Sequence, residues 1–217
     1  MIGEFFIIKA KFGNYIRKIF TDKRDRILDI GSGKSPYYHK YIKGGIVCFD
    51  IGRYNKIHVM GNADFLPFRK NSFDKVILVN SLYYCANPFR VVKNIGEVLK
   101  KNGKVVIIMP FFYPIHDVPY DKYRFTEYGI RELLKNNFDI KEIKAVGGIF
   151  NLPAIFFHSL IKGIPLMSPK SIRKLVSFIT IIILYPFYIA AQLISILDFL
   201  DKSGRWSTYY FAVAVKK

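Results

Sequence analysis

The sequence predicts an α/β fold in which helices cover a parallel sheet and a hydrophobic helical insertion interrupts it. Three observations carry this prediction. From Arg26 onward, short apolar runs that end in turn residues alternate with segments of helical period. The first of these runs ends in the glycine turn Gly31-Ser32-Gly33. Two stretches near the end of the chain, residues 149–161 and 175–197, contain no charged side chain. Strands that alternate with helices form a parallel sheet.

The composition limits the class of protein. The chain has 217 residues, of which 51% are hydrophobic and 23% charged, so it is long enough for one α/β domain and is not disordered. Its 34 basic and 16 acidic side chains leave a net charge of +18. Such a balance favours polyanionic partners, namely phosphate-rich ligands, nucleic acid or an anionic membrane surface.

Cysteine and histidine spacing predicts neither a disulfide framework nor a metal site. Cys48 and Cys85 are too few for a disulfide scaffold or a cysteine-based zinc site, and they fit a reducing cytoplasm. His39, His58 and His158 have no carboxylate or cysteine at the spacing of metal ligands.

Residues 1–25 are predicted to form an amphipathic basic segment whose helix covers residues 4–20. The apolar run at residues 5–8 is too short for a secretory signal, so we expect a cytoplasmic location. Apolar side chains recur at helical spacing, at Phe5, Ile8, Phe12, Tyr15, Ile16 and Ile19. Such a helix either packs on the edge of the domain or lies on an anionic membrane surface.

The predicted sheet occupies residues 26–147 and is completed by the last segment, 206–217. Its strands are expected at residues 26–30, 46–50, 57–60, 73–80, 104–109, 138–146 and 208–215. One predicted helix covers residues 88–101. A second begins after the N-cap Thr126 and ends near Asn137.

Residues 148–205 are predicted to be a hydrophobic helical insertion between the sixth and seventh strands. The second uncharged run is long enough to cross a bilayer, but one crossing would separate the last strand from its sheet. A crossing hairpin would carry four basic residues to the far side, against the positive-inside preference. These residues are Lys162, Lys170, Arg173 and Lys174. Pro186 is also expected to break the second run.

We therefore expect a monotopic or re-entrant insertion at the inner face of the membrane, with its basic residues among the lipid headgroups. The alternative is a helical lid that packs on its own domain or on another subunit.

The glycine turn predicts a nucleotide-type cofactor. Glycine lets a ligand approach the backbone closely, and the helix expected after the turn would offer unpaired amides. Asp50 lies twenty-one positions after Asp29, at the end of the second strand, where a carboxylate can accept both ribose hydroxyls. A nicotinamide cofactor is disfavoured because Pro36 stands at the third glycine of the dinucleotide motif.

Three further blocks follow in order, at residues 61–68, 71–77 and 97–107. With the glycine turn, they resemble the class I S-adenosylmethionine-dependent methyltransferases, specifically the type 11 group, over residues 26–147 and the last strand. The resemblance implies a Rossmann-like seven-stranded methyltransferase sheet whose last strand is antiparallel. Departures from the family pattern are Ser35 and Asn102-Gly103.

The resemblance also implies which residues bind S-adenosyl-L-methionine. The methionine part is expected at the turn, and the ribose at Asp50 with Ile51 beside it. The adenine amino group is expected at Asp64, with Phe65 beside the ring, and the methionine end at Asn80. The residues implied at the turn are Asp29, Gly31, Ser32 and Gly33.

Acceptor-side candidates follow the fourth and fifth strands, where open α/β sheets bind ligands. The loop at residues 110–126 resembles the His-Asp, Asp, Arg-x-Thr signature of a subset of type 11 methyltransferases. His116 is a candidate general base, oriented by Asp117 or Asp121. The alternative is a polar cluster that braces the loop and includes Arg124. Tyr83 and Tyr84 follow the fourth strand, and Tyr84 is the candidate hydroxyl that orients the acceptor.

These features predict a membrane-associated methyltransferase that acts on an apolar or lipid-linked small-molecule acceptor, such as a lipid-linked sugar or a prenylated quinone. An RNA methyltransferase is the first alternative, because the net charge permits it. The segment 79–82 lacks the Asn/Asp-Pro-Pro-aromatic clamp used on base amines, so nucleic acid is the less favoured partner. A non-catalytic membrane-bound interaction subunit is the second alternative, and Asp29, Asp50 and Asp64 argue against it.

Overall fold

A computed structural model describes residues 6–34 and 36–217, and it contains a seven-stranded sheet. The strands are β1 (Arg26–Ile30), β2 (Gly45–Asp50), β3 (Val59–Met60), β4 (Phe73–Val79), β5 (Leu99–Pro110), β6 (Phe138–Val146) and β7 (Tyr209–Lys216). Their order is β3-β2-β1-β4-β5-β7-β6. The pairs among β1 to β5 are parallel, whereas β7 runs antiparallel to β5. The predicted fold class is confirmed.

Five α-helices accompany the sheet in the described ranges. They are α1 (Phe6–Ile19), α2 (Pro88–Val98), α3 (Glu127–Leu134), α4 (Leu152–Met167) and α5 (Arg173–Ile194). Thr126 caps α3 as expected, because its side chain accepts a hydrogen bond from the Gly129 amide. Phe5 and Ser35, which the sequence analysis used, lie outside the described residues.

Each face of the sheet is covered by helices with apolar sides. On one face, α2 and α3 bury residues such as Val91, Ile95 and Ile130 against the strands. On the other, the ring centroids of Phe12 and Tyr209 are 5.4 Å apart, which places the second half of α1 against β7. Phe20 continues this contact, since the Lys75 ammonium lies 5.6 Å from its ring centroid. This half of α1 therefore packs on the domain, which is the first of the two alternatives given for the N-terminal helix.

Three local predictions were wrong. The helix expected from residue 88 to 101 ends at Val98, because Leu99 pairs with Phe73 and starts β5. Pro186 does not break α5, which runs on through it, since proline removes a single helical hydrogen bond. That part of α5 also packs on α4, where the rings of Phe157 and Phe187 are stacked at 5.7 Å.

The third error concerns the segment after the glycine turn, where no α-helix forms among the described residues. A short 3-10 helix, His39–Tyr41, stands in its place. The side chains of Tyr38 and His39 bind inward to Asp29, and this draws the connection between β1 and β2 down onto the strand end. The amides of an α-helix N-terminus are therefore not part of this site.

The chain divides into two compact units. The core unit contains residues 12–111, 115–145 and 209–217, and the hairpin unit contains residues 112–114, 146–208 and the described part of the first eleven residues. The predicted N-terminal segment, residues 1–25, is thus shared between the two units.

The hairpin unit is built on α4 and α5, and it buries polar side chains beside apolar ones such as Ile155, Ile161 and Tyr188. Its buried positions include Asn151, His158, Thr180, Gln192 and Ser195. Many of its large apolar side chains are exposed, among them Phe156, Leu166, Met167, Leu175, Phe178, Ile179, Ile182, Ile183, Phe187, Leu193 and Ile194. Two of its segments, Ile149–Met167 and Arg173–Leu200, are long and apolar enough to span a membrane by length and composition.

Charge within the hairpin unit is one-sided. Its described basic residues are Lys9, Lys11, Lys162, Lys170, Arg173, Lys174, Lys202 and Arg205. Its acidic residues in the same ranges are Asp198 and Asp201. Both face the start of α4, where Asp201 Oδ2 accepts the Ile149 amide hydrogen at 3.1 Å. Asp198 is buried and Asp201 is bound to a backbone amide, and the net charge of the described residues of this unit is positive.

Candidate active site

The glycine turn follows β1 and has two glycines with positive φ. Gly31 has φ +74°, and a Cβ built on it would lie 2.3 Å from Cβ of Ser81. Gly33 has φ +64°, and a Cβ there would meet nothing within 4 Å. Gly31 thus permits close packing of the turn on the segment after β4, whereas Gly33 leaves open space beside the backbone.

Asp50 ties this turn to the end of β2. Its Oδ2 accepts the Gly33 amide hydrogen at 2.8 Å, and its Oδ1 accepts that of Gly52 at 2.7 Å. The Gly31 amide donates to the Phe49 carbonyl at 2.8 Å. Each carboxylate oxygen of Asp50 keeps a second lone pair, so both can accept a ribose hydroxyl without losing the turn.

Asp29 is placed differently from the other candidate carboxylates, because its side chain has no exposed surface. The Tyr38 hydroxyl donates to it at 2.9 Å, and His39 Nε2 lies 2.6 Å from its Oδ2. Burial raises the pKa of Asp29, against the lowering effect of these hydrogen bonds. Asp29 thus braces the connection between β1 and β2, and its direct contact with a cofactor stays a prediction.

This bracing corrects the sequence-based view of His39, for which no carboxylate or cysteine partner was expected. The ligand atoms of Asp29, His39 and Cys48 lie within 4.8 Å of one another. These residues meet through pairing of β1 with β2 and not through local spacing, so a search for metal-ligand motifs misses them. The hydrogen bond between His39 and Asp29 accounts for their approach.

The candidate adenine pocket combines a buried carboxylate with exposed apolar side chains. Asp64 is buried, and its Oδ1 accepts the Asn87 amide hydrogen at 3.3 Å. Phe65 and Ile51 are 68% and 75% exposed, so their surfaces are available to a flat ligand. Arg90 lies over the Phe65 ring, with its guanidinium carbon 5.5 Å from the centroid.

Sequence reasoning missed Arg90 and Asn87. Asn87 is followed by Pro88 and caps α2, a pattern that predicts the helix start but not the contact with Asp64.

Asn80 ends β4 with an unusual backbone and an unfilled acceptor. Its φ of 54° lies in the left-handed region. Among the described residues, its buried Oδ1 has no hydrogen-bond partner. The neighbouring Ser81 hydroxyl donates to the Ile30 carbonyl at 2.7 Å, which joins the ends of β4 and β1. An unpaired buried acceptor is costly, and the ammonium group of a bound methionine moiety would satisfy it.

The second part of the site is a polar cluster centred on His116. Nδ1 of His116 lies 3.0 Å from Oδ2 of Asp121, whose side chain has no exposed surface. Arg124 binds both carboxylate oxygens of Asp121, and its NH2 group is 2.8 Å from Oδ2. The hydrogen bonds from Arg124 hold the pKa of Asp121 below its ordinary value, so this carboxylate is ionised at neutral pH.

The other ring nitrogen of His116 faces two tyrosines. Nε2 lies 3.2 Å from the hydroxyl oxygen of Tyr83 and 3.2 Å from that of Tyr84. The Tyr84 hydroxyl donates to Asp117. Burial raises the pKa of both tyrosines, and in Tyr84 the bond to Asp117 raises it further. Both tyrosines are therefore protonated hydroxyls at neutral pH.

The structure thus brings all four predicted catalytic residues together: His116, Asp117, Asp121 and Tyr84. The cluster also contains Arg124, as the bracing alternative requires. The same arrangement can therefore hold the loop in place and position His116 as a base. Around it the loop exposes Ile115, Val118 and Tyr120, at 75%, 75% and 66%. A polar centre with an apolar rim suits an amphiphilic acceptor.

Comparison with known proteins shows similarity to methyltransferases. Residues 28–107 match the family model described as a methyltransferase domain. The chain is 32% identical over 152 residues to an uncharacterized protein of Methanocaldococcus jannaschii, which covers 64% of this chain and 54% of the relative. It is 29% identical over 129 residues to the ubiquinone/menaquinone biosynthesis C-methyltransferase UbiE of Wigglesworthia glossinidia brevipalpis, covering 48% of this chain and 51% of UbiE. The chain therefore spans about half the length of these curated relatives.

Among solved structures, phosphoethanolamine N-methyltransferase 2 of Haemonchus contortus in complex with S-adenosyl-L-methionine has a TM-score of 0.56 at 17% identity. The match covers 95% of this chain and 52% of that one, and at this identity it shows the fold alone. The sheet order and the antiparallel β7 are those of the class I S-adenosylmethionine-dependent methyltransferase fold, and the match over residues 28–107 makes this part of the chain similar to a methyltransferase domain.

Proposed function

We propose that the protein transfers a methyl group from S-adenosylmethionine to an apolar or lipid-linked acceptor at an anionic membrane surface. One observation carries the proposal: a cofactor-type site and a polar cluster with a base lie in the same core unit, while the hairpin unit exposes apolar and basic side chains. The first part supports methyl transfer, and the second supports the location and the acceptor class.

The cofactor supplies a methyl carbon on a sulfonium centre, which is already activated for displacement. The protein then has to align the acceptor and, where needed, take its proton. His116 Nε2 accepts the proton of the acceptor atom as that atom forms its bond to the methyl carbon. The carbon–sulfur bond breaks with its electron pair on sulfur. Asp121 holds the ring and stabilises its charge, and Asp117 stands 3.7 Å from Nε2.

Each of the cofactor residues binds a different part of S-adenosylmethionine. Asp50 serves the ribose hydroxyls, Asp64 the adenine amino group, and the exposed Phe65 and Ile51 the faces of the ring. Asn80 Oδ1 serves the methionine ammonium, since it is a buried acceptor that needs a donor. Gly31, Ser32 and Gly33 bring the backbone close to the methionine part.

Membrane association is supported by the hairpin unit, which contains the predicted insertion at residues 148–205. Exposure of large apolar side chains to water is unfavourable, and their transfer into a lipid interface lowers the free energy. Its positive charge adds attraction to anionic headgroups. The polar side chains turned inward resemble the interior of a helix pair in lipid, where polar groups face one another. The likeness to UbiE, whose name is that of a quinone C-methyltransferase, favours a prenylated ring over a lipid-linked sugar as the acceptor.

The cofactor part is tested by calorimetry with S-adenosylhomocysteine. We expect micromolar binding that Asp50→Ala weakens at least tenfold, because both ribose hydrogen bonds are lost. Asp139→Ala, which removes an exposed carboxylate from β6 in the same unit, is the matched control and should leave the affinity unchanged. No heat from the unchanged protein would contradict the cofactor site.

The membrane part is tested by sedimentation with vesicles. The protein should bind vesicles that contain anionic lipid and release partly at high salt, since the charge contribution is screened. Trp206, the single tryptophan, belongs to the hairpin unit and is 44% exposed, so its emission should shift to the blue on binding. Protein that stays in the supernatant with unchanged emission would contradict this part.

A further inference from the structure

We propose that Tyr83 and Tyr84 act on His116 in opposite directions. Tyr83 stabilises the neutral imidazole that can take a proton, and Tyr84 stabilises the imidazolium that results. The inference rests on the proposed function in one respect, because His116 is the base there. Both hydroxyls lie 3.2 Å from Nε2, so distance does not separate their effects. Their effects differ because the two hydroxyls donate their hydrogens to different acceptors.

The Nδ1 side of the ring fixes where the imidazole hydrogen sits. An ionised carboxylate only accepts hydrogen bonds, so Nδ1 carries a hydrogen toward Asp121. In the neutral ring, Nε2 then has only a lone pair and must accept. A flipped ring would place carbon atoms at both positions and lose the contacts with Asp121 and the tyrosines.

The two tyrosines differ in what they can give to Nε2. Tyr84 donates its one hydrogen to Asp117, so its oxygen is left as an acceptor. Tyr83 can donate to Nε2, or to the Tyr84 oxygen at 3.1 Å. Tyr83 is thus the tyrosine that pairs with the neutral ring. Once Nε2 is protonated, the ring donates, and the Tyr84 oxygen beside Asp117 is the matching acceptor.

Arg124 contacts both Asp121 and Tyr83, which lie on opposite sides of the His116 ring. It binds Asp121 through its guanidinium, and its guanidinium carbon lies 5.5 Å from the centroid of the Tyr83 ring. The charged groups that face His116 are therefore Asp121, with Arg124 behind it, and Asp117, while the segment after β4 contributes the two tyrosines. Tyr83 is a positioning residue, because it acts on the acceptor only through His116.

The test is nuclear magnetic resonance of the full chain with ¹⁵N-labelled histidine, titrated with pH in the absence of cofactor and acceptor. His116→Asn identifies the His116 signals among the four histidines. In Tyr83→Phe the ring should take up its proton at a pH about half a unit to one unit higher than in the unchanged protein, because the neutral form loses its donor. In Tyr84→Phe it should do so at a pH lower by a similar amount. In all three proteins, the neutral ring should carry its hydrogen on Nδ1.

Signals of His39, which is bound to Asp29 elsewhere in the core unit, report whether each variant is folded. If Tyr83→Phe does not fold, Tyr83→Leu replaces it and should raise the titration pH in the same way, because it also lacks the hydroxyl donor. Shifts of the two tyrosine variants in the same direction, no shift, or a hydrogen on Nε2 would overturn the proposal. Opposite shifts in a protein that transfers no methyl group would support this inference and contradict the proposed function.

Discussion

The core unit and the hairpin unit differ in how many polar side chains they bury and how many large apolar side chains they expose. In the core, Ile77, Leu78 and Val106 have no exposed surface, while the charged side chains of α2 and α3 face outward. In the hairpin unit, His158 and Gln192 are buried, while Phe178 and Ile182 are 63% and 58% exposed. Hydrophobic burial in water explains the first pattern and opposes the second. This difference is what we expect if the hairpin unit lies in a membrane interface, as proposed above.

The largest expected effect comes from changing the exposed face of the hairpin. Phe178→Glu, Ile182→Glu and Leu193→Glu together should weaken binding to anionic vesicles about a thousandfold, because three apolar contacts with lipid are lost. The affinity for S-adenosylhomocysteine, which belongs to the core unit, should not change. Vesicle sedimentation and calorimetry on one preparation give both values. Equal vesicle binding by this variant would remove the contrast between the units.

An Ile→Ala substitution in each unit compares how much a buried and an exposed side chain contribute to stability. Ile77→Ala should lower the free energy of unfolding in water by about 2–4 kcal/mol, because it leaves a cavity in the core. Ile182→Ala should change it by less than about 0.5 kcal/mol, because its side chain is exposed. Urea unfolding followed by circular dichroism measures the difference. A large loss for Ile182→Ala would show that this face packs on protein.

The smallest expected effect concerns the buried carboxylate Asp121 of the core unit, which is paired with Arg124. Arg124→Gln should lower stability by about 1–2 kcal/mol at pH 7. The pKa of Asp121 is depressed when folded, so this contribution is complete above the ordinary value of 3.8 and is lost as pH falls through the folded value. The deficit should therefore be smaller at pH 3 than at pH 7.

Arg131→Gln is the matched control for this experiment. Arg131 pairs with Glu127 on the exposed side of α3, and such a surface pair contributes little. A deficit in Arg124→Gln that stays the same at both pH values would contradict the ionised state assigned to Asp121.

The sequence predicts the sheet well because its strands are apolar runs closed by turn residues. β1 and β6 have the bounds expected from the pattern, and the resemblance supplied the antiparallel β7. Helix ends are less predictable, since pairing of Leu99 with Phe73 decides where α2 stops. Periodicity also cannot tell that Pro186 is tolerated, because contacts with α4 compensate for it.

The site was predictable in its residue types but not in its contacts. Gly31 and Asp50 stand at strand ends and Asp64 lies in the turn after β3, where the local pattern made them candidates. The loop pattern predicted Asp121 beside His116, but the two tyrosines that face the ring come from a segment 32 and 33 residues away, which no local spacing encodes. Tyr83 is an example: it was a candidate from its place after β4, but its relation to His116 required the folded loop.

One measurement tests the central claim most directly. Purified protein is incubated with methyl-labelled S-adenosylmethionine and an extract that contains both membranes and RNA, and the label is divided between organic solvent, RNA and small aqueous products. We predict that label enters the organic phase and that His116→Gln prevents this. Label found only in RNA or in aqueous products would contradict an acceptor in the membrane, and no label in any fraction would contradict methyl transfer itself.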